Sequence, residues 1–270
     1  MKGTFKTAAL LLAAGSLLLQ GCTQQRLRAQ ARESQTVVLD IGHYYHPQRG
    51  GQGARTPDAR YGNIEECEFW YKYCIYTKRV IEQAGYTCAI CNRGAAPADA
   101  RLAEYGRRAG VYQVNTPEVT GVYRSKYHPN RMAVGILSAD YALDQKPGCV
   151  VFLHHNSNSD NWQVYNNGAI YCNKAGTALA ASMAGEITDS LFAKDLKNNG
   201  VPCGIIIRDN GRLGGGDWLN TCNEHYVPAA ITEAVFLSNP DHAKFLGNEQ
   251  NAIRYAEAVG RGIVKYMQSR

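Results

Sequence analysis

Thr36-Val-Val-Leu-Asp-Ile-Gly-His43 is a mostly apolar run that ends in a glycine and a histidine. Short apolar runs bounded by turn residues are typical of strands buried in a sheet. A helical pattern follows over residues 64–84, closed by Gly85, and a second strand pattern covers residues 86–91. Because strands joined through helices run parallel, this order predicts a parallel sheet.

The same alternation continues to the end of the sequence. Helical patterns cover residues 131–143, 177–195 and 251–267, and strand patterns cover residues 149–154, 169–172 and 229–236. We therefore predict an α/β fold, with residues 36–270 forming a single domain: a mostly parallel twisted sheet with helices on both faces. A domain of this length can bury a sizeable core.

Residues 1–21 have the pattern of a bacterial signal peptide. Two lysines precede an apolar run over residues 8–19 that is too short to span a bilayer comfortably. The run leads into Leu19-Gln-Gly-Cys22, which resembles a lipobox, so Cys22 is predicted to carry a lipid anchor. An ordinary cleaved signal, with this cysteine lost or idle, is the alternative.

Residues 22–35 are predicted to be a lipidated tether outside the fold, because they are polar, carry three arginines and lack apolar periodicity. Thr23 stands where, in the enteric pattern, an aspartate would retain a lipoprotein in the inner membrane. These features predict a periplasmic protein anchored by lipid in the outer membrane.

Eight cysteines follow the tether: Cys67, Cys74, Cys88, Cys91, Cys149, Cys172, Cys203 and Cys222. An even number behind a secretion signal predicts disulfide bonds. Cys67 and Cys74 lie about two helical turns, roughly 10 Å, apart, so each needs a partner elsewhere. The net charge of +6 is mild and favours an anionic polymer or membrane surface, and no aromatic-basic motif predicts nucleic acid as a partner.

Three polar side chains follow predicted strands: His43 after the first, His154 after residues 149–153, and Glu233 within residues 229–236. Ligands bind beyond the carboxyl ends of strands in such sheets, so these groups are expected at one edge. A catalytic zinc takes three His, Asp or Glu ligands and leaves one position open for water. The two histidines with a carboxylate from the long helix form such a set, and Glu233 is the candidate base. An ordinary hydrogen-bonded role is the alternative for either histidine alone.

Four segments carry a family resemblance. They are Asp40-Ile-Gly-His43, similar to Asp-Pro-Gly-His; Asn63-Ile-Glu-Glu66, similar to Gly-Leu-x-Glu; Phe152-Leu-His-His-Asn-Ser157, similar to Ser-Ile-His-Ala-Asn-Ala; and Thr232-Glu-Ala-Val-Phe-Leu-Ser-Asn239, similar to Val-Glu-x-Gly-Phe-Leu-Ser-Asn. In this order they resemble the zinc-dependent N-acetylmuramoyl-L-alanine amidases. The resemblance covers about residues 36–268. It implies a hydrolase that cuts the amide between N-acetylmuramic acid and L-alanine in peptidoglycan.

The resemblance also implies one zinc ion per chain, held by His43, Glu66 and His154. Glu233 would then take a proton from the attacking water and return it to the leaving alanine nitrogen. Peptidoglycan is the implied partner, with the membrane reached through the lipid anchor, and the chain is expected to be a monomer. Another zinc peptidase acting on wall peptides and a non-catalytic lipoprotein that binds peptidoglycan are the alternatives.

Two of these assignments have competing neighbours. Glu65 and Glu68 compete with Glu66 for the ligand position, since acidic residues are common at the start of a helix. His155 replaces His154 if the register of the strand slips by one residue.

Asn156, Arg131 and Arg208 are predicted to bind substrate, because they fall where the family has related features. Residues 98–130 form a longer connection than the family usually has, and they are rich in tyrosine and arginine. One interpretation of this segment is a solvated insertion. The other is a cleft wall that stacks sugars on tyrosines and meets peptide carboxylates with arginines.

Overall fold

The computed structural model describes residues 23–46, 50–51, 53–56, 63–114, 123–127, 132–133, 136–157, 168–192, 203–208 and 216–270. The strands are β1 Thr36–His46, β2 Gly50–Gly51, β3 Thr87–Arg93, β4 Val111–Val114, β5 Tyr123–Arg124, β6 Met132–Ala133, β7 Cys149–Leu153, β8 Ala169–Cys172, β9 Gly204–Ile207 and β10 Ala229–Glu233. The α-helices are α1 (23–33), α2 Glu66–Gln83, α3 Ala100–Ala109, α4 Ile136–Asp144, α5 Thr177–Ile187, α6 Gly216–Glu224, α7 Pro240–Gly247 and α8 Glu249–Gln268. A 3-10 turn at Lys174–Gly176 precedes α5, and a π-helical turn at Thr188–Phe192 follows it.

The main sheet has the strand order β4-β3-β1-β7-β10-β8-β9. All neighbours in this order pair in parallel except β8, which runs antiparallel to β10. The short β2 adds an antiparallel pair to the end of β1, and β5 and β6 form a separate two-stranded sheet. The predicted α/β class and the mostly parallel sheet are therefore confirmed.

Helices cover both faces of the sheet because successive side chains of a strand point to opposite sides. Val37 and Leu39 of β1 pack into a core formed with α2, α5 and α8. Val38, between them, belongs to a second core formed with α4 and α6. All three side chains are fully buried, and each such burial stabilises the fold by about 1.5–3 kcal/mol.

The predicted disulfides are wrong, since all eight cysteines from Cys67 to Cys222 are buried free thiols. The sheet itself separates several of them. Cys88 and Cys91 lie three residues apart on β3 and therefore enter opposite cores. Burial raises the pKa of the Cys149 thiol to about 12, as expected of cysteines that pack as small apolar side chains.

Residues 23–33, which fall within the predicted tether, form a helix in the structure. The end of α1 is held against the domain by Arg270, whose guanidinium donates hydrogen bonds to the carbonyls of Ala31 and Ser34 at 2.9 and 2.8 Å. This contact joins the two ends of the described chain, so no local pattern could reveal it. The signal peptide and Cys22 lie outside the described residues. Within the part that the structure describes, no helix is long and apolar enough to cross a membrane.

Much of the segment 98–130 belongs to the regular fold. Its first half forms α3 and the edge strand β4, which pairs in parallel with β3. Tyr112 of β4 stacks on Tyr141 of α4, with ring centroids 4.7 Å apart. Residues 115–122 and 128–130 lie outside the described part of the chain.

Candidate metal centre

His43 leaves the sheet through an irregularity in β1. Ile41 pairs with Asn92 of β3, but the next pair is Tyr44 with Arg93, so Gly42 and His43 are extra residues in this strand. His43 has a φ of 61°, a left-handed conformation that is uncommon outside glycine. Such conformations persist where surrounding contacts fix them, and they are frequent at functional sites.

A buried chain of polar side chains fixes this bulge. The Asn92 side-chain amide donates to the carbonyls of Ile41 and His43 at 2.8 and 3.1 Å. Its own oxygen accepts from the Tyr71 hydroxyl at 2.8 Å, and the Gln113 amide donates to that hydroxyl at 2.9 Å. The backbone that carries the His43 ring is therefore held from β3, α2 and β4 together.

His154 directly follows β7 and is almost fully buried. Its backbone N–H donates to Thr232 Oγ1 at 2.8 Å, and that hydroxyl donates to the His154 carbonyl at 2.9 Å. The imidazole stacks on Trp218, with ring centroids 5.7 Å apart. Strand β10 and helix α6 thus orient the ring.

Glu66, the first residue of α2, joins the two histidines. Its Oε2 lies 3.2 Å from His43 Nε2 and accepts the Ala54 N–H at 2.6 Å. Its Oε1 lies 2.8 Å from His154 Nδ1 and accepts the His155 N–H at 2.9 Å. Burial alone would raise the pKa of this carboxyl, but the two histidines hold it well below its ordinary value. Each oxygen of the buried Glu66 carboxylate therefore faces one imidazole nitrogen and one backbone N–H.

His43, Glu66 and His154 each offer one ligand atom, and these atoms lie within 4.8 Å of one another. Two imidazoles and one carboxylate are a usual protein ligand set for a catalytic zinc. Among the described residues, His154 Nε2 is buried without a hydrogen-bond partner, so this ring keeps one nitrogen for a ligand. The donor set and the unpaired nitrogen both fit a zinc ion.

The competing neighbours Glu65 and His155 are not part of this cluster. Glu65 precedes the first turn of α2 and is not part of the cluster. The His155 ring is stacked between Trp70 and Tyr255, at 5.3 and 5.6 Å between centroids. Burial lowers the pKa of His155 to about 4, so its imidazole is neutral at physiological pH. The geometry thus favours Glu66 and His154 as ligands.

A cleft of about 400 Å³ opens beside the cluster, and its lining includes His43, Glu66, Asn156 and Glu233. Glu233 ends β10, which places its carboxyl at the same sheet edge as the histidines. Burial and the nearby Glu66 raise the pKa of Glu233 well above its ordinary value, and the charge of Arg208 offsets part of that rise. A carboxyl with a raised pKa beside such a cluster of ligand groups is suited to general acid–base work.

Of the three predicted substrate-binding residues, one lines the cleft, one lies near Glu233 and one lies outside the described residues. Asn156 lines the cleft and is fixed by backbone hydrogen bonds to Val235 and Leu237. The Arg208 guanidinium lies 4.0 Å from the centre of the Tyr171 ring, near enough to Glu233 to influence its pKa. Arg131 lies outside the described residues. None of the described residues of 98–130 lines the cleft.

Sequence reasoning missed the residues that hold the cluster rather than form it. The Thr232 hydroxyl, the Asn92 amide and the Ala54 N–H all position groups of the site. None carries a chemical signature of its own. The glycines at 50, 51 and 53 were an available signal, since glycine is common in loops where the backbone closely approaches other groups.

Gly42→Ala is expected to disturb the cluster directly. A Cβ there would lie 2.5 Å from the Leu153 carbonyl oxygen and 2.7 Å from His154 Nε2, and the backbone contact cannot yield. We expect a loss of about 1–3 kcal/mol in stability, together with weaker zinc binding, measured by thermal melting and metal titration. Gly185→Ala is the control, because its Cβ would meet nothing within 4 Å and should be neutral or stabilising. Parent-like melting and zinc affinity in Gly42→Ala would contradict this account.

Comparison with known proteins gives a family match that extends over almost the whole domain. The family model for N-acetylmuramoyl-L-alanine amidases (Amidase_3) matches residues 37–265. A search of the curated proteins found no match.

Several solved structures share the fold. An N-acetylmuramoyl-L-alanine amidase from Clostridium difficile 630 is 15% identical, with 88% of this chain and 99% of that chain covered and a TM-score of 0.53. The CwlD amidase from Clostridioides difficile, solved in complex with the GerS lipoprotein, is 16% identical over 87% and 99%, with a TM-score of 0.51. Cwp6 from Clostridium difficile is 17% identical with a TM-score of 0.52; 85% of this chain is covered, and it spans 29% of the length of Cwp6. At these identities the likeness establishes the fold alone.

Proposed function

The chain belongs to the N-acetylmuramoyl-L-alanine amidase family and is such an amidase, and from this premise we propose that it works through one zinc ion held by His43, Glu66 and His154. The observation that carries the proposal is the convergence of both imidazoles on the two oxygens of Glu66, at 3.2 and 2.8 Å. Glu233 lines the same cleft and is the proposed base.

The substrate bond is the amide between the lactyl group of N-acetylmuramic acid and the nitrogen of L-alanine. The chemistry that a bound zinc would supply here is polarisation of the scissile carbonyl and a lowered pKa for water. Glu66 is held by the backbone N–H groups of Ala54 and His155. Thr232 holds His154 and Asn92 holds His43, so all three side chains need little rearrangement to act as ligands.

Glu233 would accept and then donate the proton that is transferred in the reaction. As a carboxylate it takes a proton from water as the water oxygen bonds to the lactyl carbon. The C–N bond then breaks, and the same proton passes to the alanine nitrogen. The products are a free lactyl carboxyl on the sugar and a free amino terminus on the peptide.

Three further residues are proposed to meet the substrate. Asn156 lines the cleft beside Glu233 and offers both a donor and an acceptor to an amide. Arg208 supports binding by its charge, since wall peptides carry carboxylates. Arg131 remains a proposal from the sequence alone.

Purified peptidoglycan digested by the chain from residue 23 onward tests the function. We expect mass spectrometry to find sugars with free lactyl carboxyls and peptides beginning with L-alanine, and no such products after chelation. Adding zinc back should restore them. Cleavage between amino acids of the peptide would instead indicate a peptidase, and binding without products would indicate a non-catalytic protein.

Peptidoglycan lies outside the cytoplasm, so the family is consistent with an extracytoplasmic location. We further propose that the protein is monomeric and periplasmic, and that Cys22 anchors it by lipid in the outer membrane, on the strength of the lipobox resemblance. Cys22→Ser is expected to release the protein from membranes or block its maturation, which fractionation and immunoblotting would measure. A variant that still fractionates with membranes would refute the lipid anchor.

A further inference from the structure

A broad groove lies at the opposite end of the parallel strands from the catalytic cleft. The cleft is at the carboxyl ends of the parallel strands, beyond β1 and β7. The groove is lined by Pro228, which immediately precedes β10, and by Lys174, which follows the antiparallel β8. Both therefore lie at the amino-end edge of the sheet. The volume of the groove is about 870 Å³.

The groove is strongly basic. Its lining contains Arg28 and Arg32 of α1, Lys174 before α5, and Arg270 at the end of the chain, and it contains no acidic residue. Arg28 and Arg32 are four residues apart and so share one face of α1. The Arg28 guanidinium lies 4.4 Å from the centre of the Tyr226 ring.

In the described part of the domain, the three exposed cations of this groove lack ion-pair partners. Among the described residues, no carboxylate forms a salt bridge with Arg28, Arg32 or Lys174, all of which are exposed. The Arg270 guanidinium donates to backbone carbonyls of α1 and the following turn, so it is engaged in holding the fold. A concave surface with three exposed cations and no acidic residue in its lining attracts an anionic partner.

The position of α1 indicates which anionic partner binds the groove. Its described part begins at Thr23, next to the proposed lipid-bearing Cys22. Arg28 and Arg32 lie about 8 and 14 Å of helix rise beyond Thr23. An acylated Cys22 would thus hold the basic groove within one to two Debye lengths of the bilayer surface, where cations are drawn to anionic headgroups.

We propose that this groove binds the phosphate headgroups of anionic phospholipids. Binding there sets the amino-end edge of the sheet against the membrane and turns the catalytic cleft away from it, towards the wall. The inference goes beyond the amidase function and depends on neither the zinc nor Glu233.

Vesicle sedimentation tests the proposal. The protein is the chain from residue 23 onward, which contains every described element and lacks both the apolar leader and Cys22. It is mixed with vesicles of phosphatidylcholine alone or of phosphatidylcholine and phosphatidylglycerol in equal parts. We expect binding to the anionic vesicles only, weakened by added salt.

The triple variant Arg28→Ala, Arg32→Ala, Lys174→Ala should bind these vesicles on the order of 100-fold more weakly, since each cation near the surface contributes about fivefold. A matched triple variant, Arg101→Ala, Arg108→Ala, Lys244→Ala, removes the same charge from exposed positions on α3 and α7. It should bind as the parent does if the groove, not net charge, is responsible.

Equal weakening in both triple variants, or no binding by the parent, would overturn the proposal. So would retention on purified peptidoglycan, but not on vesicles, through the same three cations, because the partner would then be the wall polymer. Amidase activity on soluble wall fragments is measured in parallel and should be unchanged in both variants. A parent that binds vesicles but cleaves nothing would refute the proposed function and leave this inference standing.

Discussion

Glu233→Gln is expected to lower kcat by on the order of 10²–10⁴-fold while leaving zinc content close to that of the parent. The amide keeps the shape of the carboxyl and can still hydrogen bond, but it cannot accept a proton from water or return one to the leaving nitrogen. Because Glu233 lies across the cleft and outside the His43, Glu66 and His154 cluster, its loss should leave the ligands in place.

Glu249→Gln is the control for this variant. Glu249 pairs with Lys72 at 3.1 Å on the exposed surface, so its amide should turn over substrate like the parent. Near-parent activity in Glu233→Gln would remove the proposed base. Loss of zinc in that variant would show that Glu233 is a ligand, not the base.

The metal-free protein gives an independent test of the Glu233 environment. Burial and Glu66 raise the pKa of Glu233 well above its ordinary value of 4.5. At a pH between the pKa of Glu233 in the unfolded chain and its higher pKa in the folded protein, the folded protein holds a proton that the unfolded chain has released. The free energy of unfolding therefore falls as the pH rises through this range. Glu233→Gln cannot ionise and escapes that loss. The metal-free variant should therefore melt above the metal-free parent at neutral pH, and the difference should shrink near pH 4, about the pKa of an unfolded glutamate.

The sequence was sufficient to predict that His43, His154 and Glu233 would lie at one edge of the sheet. Apolar runs before His43 and His154, separated by helical patterns, require parallel strands, and parallel strands bring their carboxyl ends to one edge. The structure places Glu233 at that edge as well, because β10 lies beside β7 in the sheet. The approximate positions of α2, α5 and α8 followed from their apolar periodicity for the same reason: one face of each is buried.

What the sequence could not predict depends on contacts between distant residues. The bulge that presents His43 is fixed by Asn92, which lies 49 residues away in the sequence. An asparagine within a strand pattern does not by itself predict that it will hydrogen bond to a distant bulge. Helix α1 is held by Arg270 from the other end of the chain. The cysteines were misassigned because their even number and the secretion signal suggest disulfides, whereas all eight pack as small buried apolar side chains.

Glu66→Gln is expected to have the largest effect on the metal. Each carboxylate oxygen of Glu66 already accepts a backbone N–H, from Ala54 on one side and His155 on the other. A glutamine has one oxygen and one NH2 group, so in either orientation its NH2 group faces a backbone donor. We expect zinc affinity to fall by more than the 10–100-fold typical of losing a group that merely supports a ligand. The unsatisfied N–H should also cost about 1–3 kcal/mol of stability.

Glu65→Gln is the matched control, because Glu65 is the preceding residue at the same helix start and lies outside the cluster. Zinc titration and thermal melting of both variants, each with and without metal, separate the two glutamates. If Glu65→Gln loses zinc and Glu66→Gln retains it, the ligand assignment passes to the neighbour. If Glu66→Gln loses zinc while Glu233→Gln keeps it but does not turn over substrate, ligand and base are distinguished by two amide substitutions of the same size. That pattern follows from the positions of the two carboxylates, since Glu66 lies between the two imidazoles of the cluster and Glu233 lines the cleft outside the cluster.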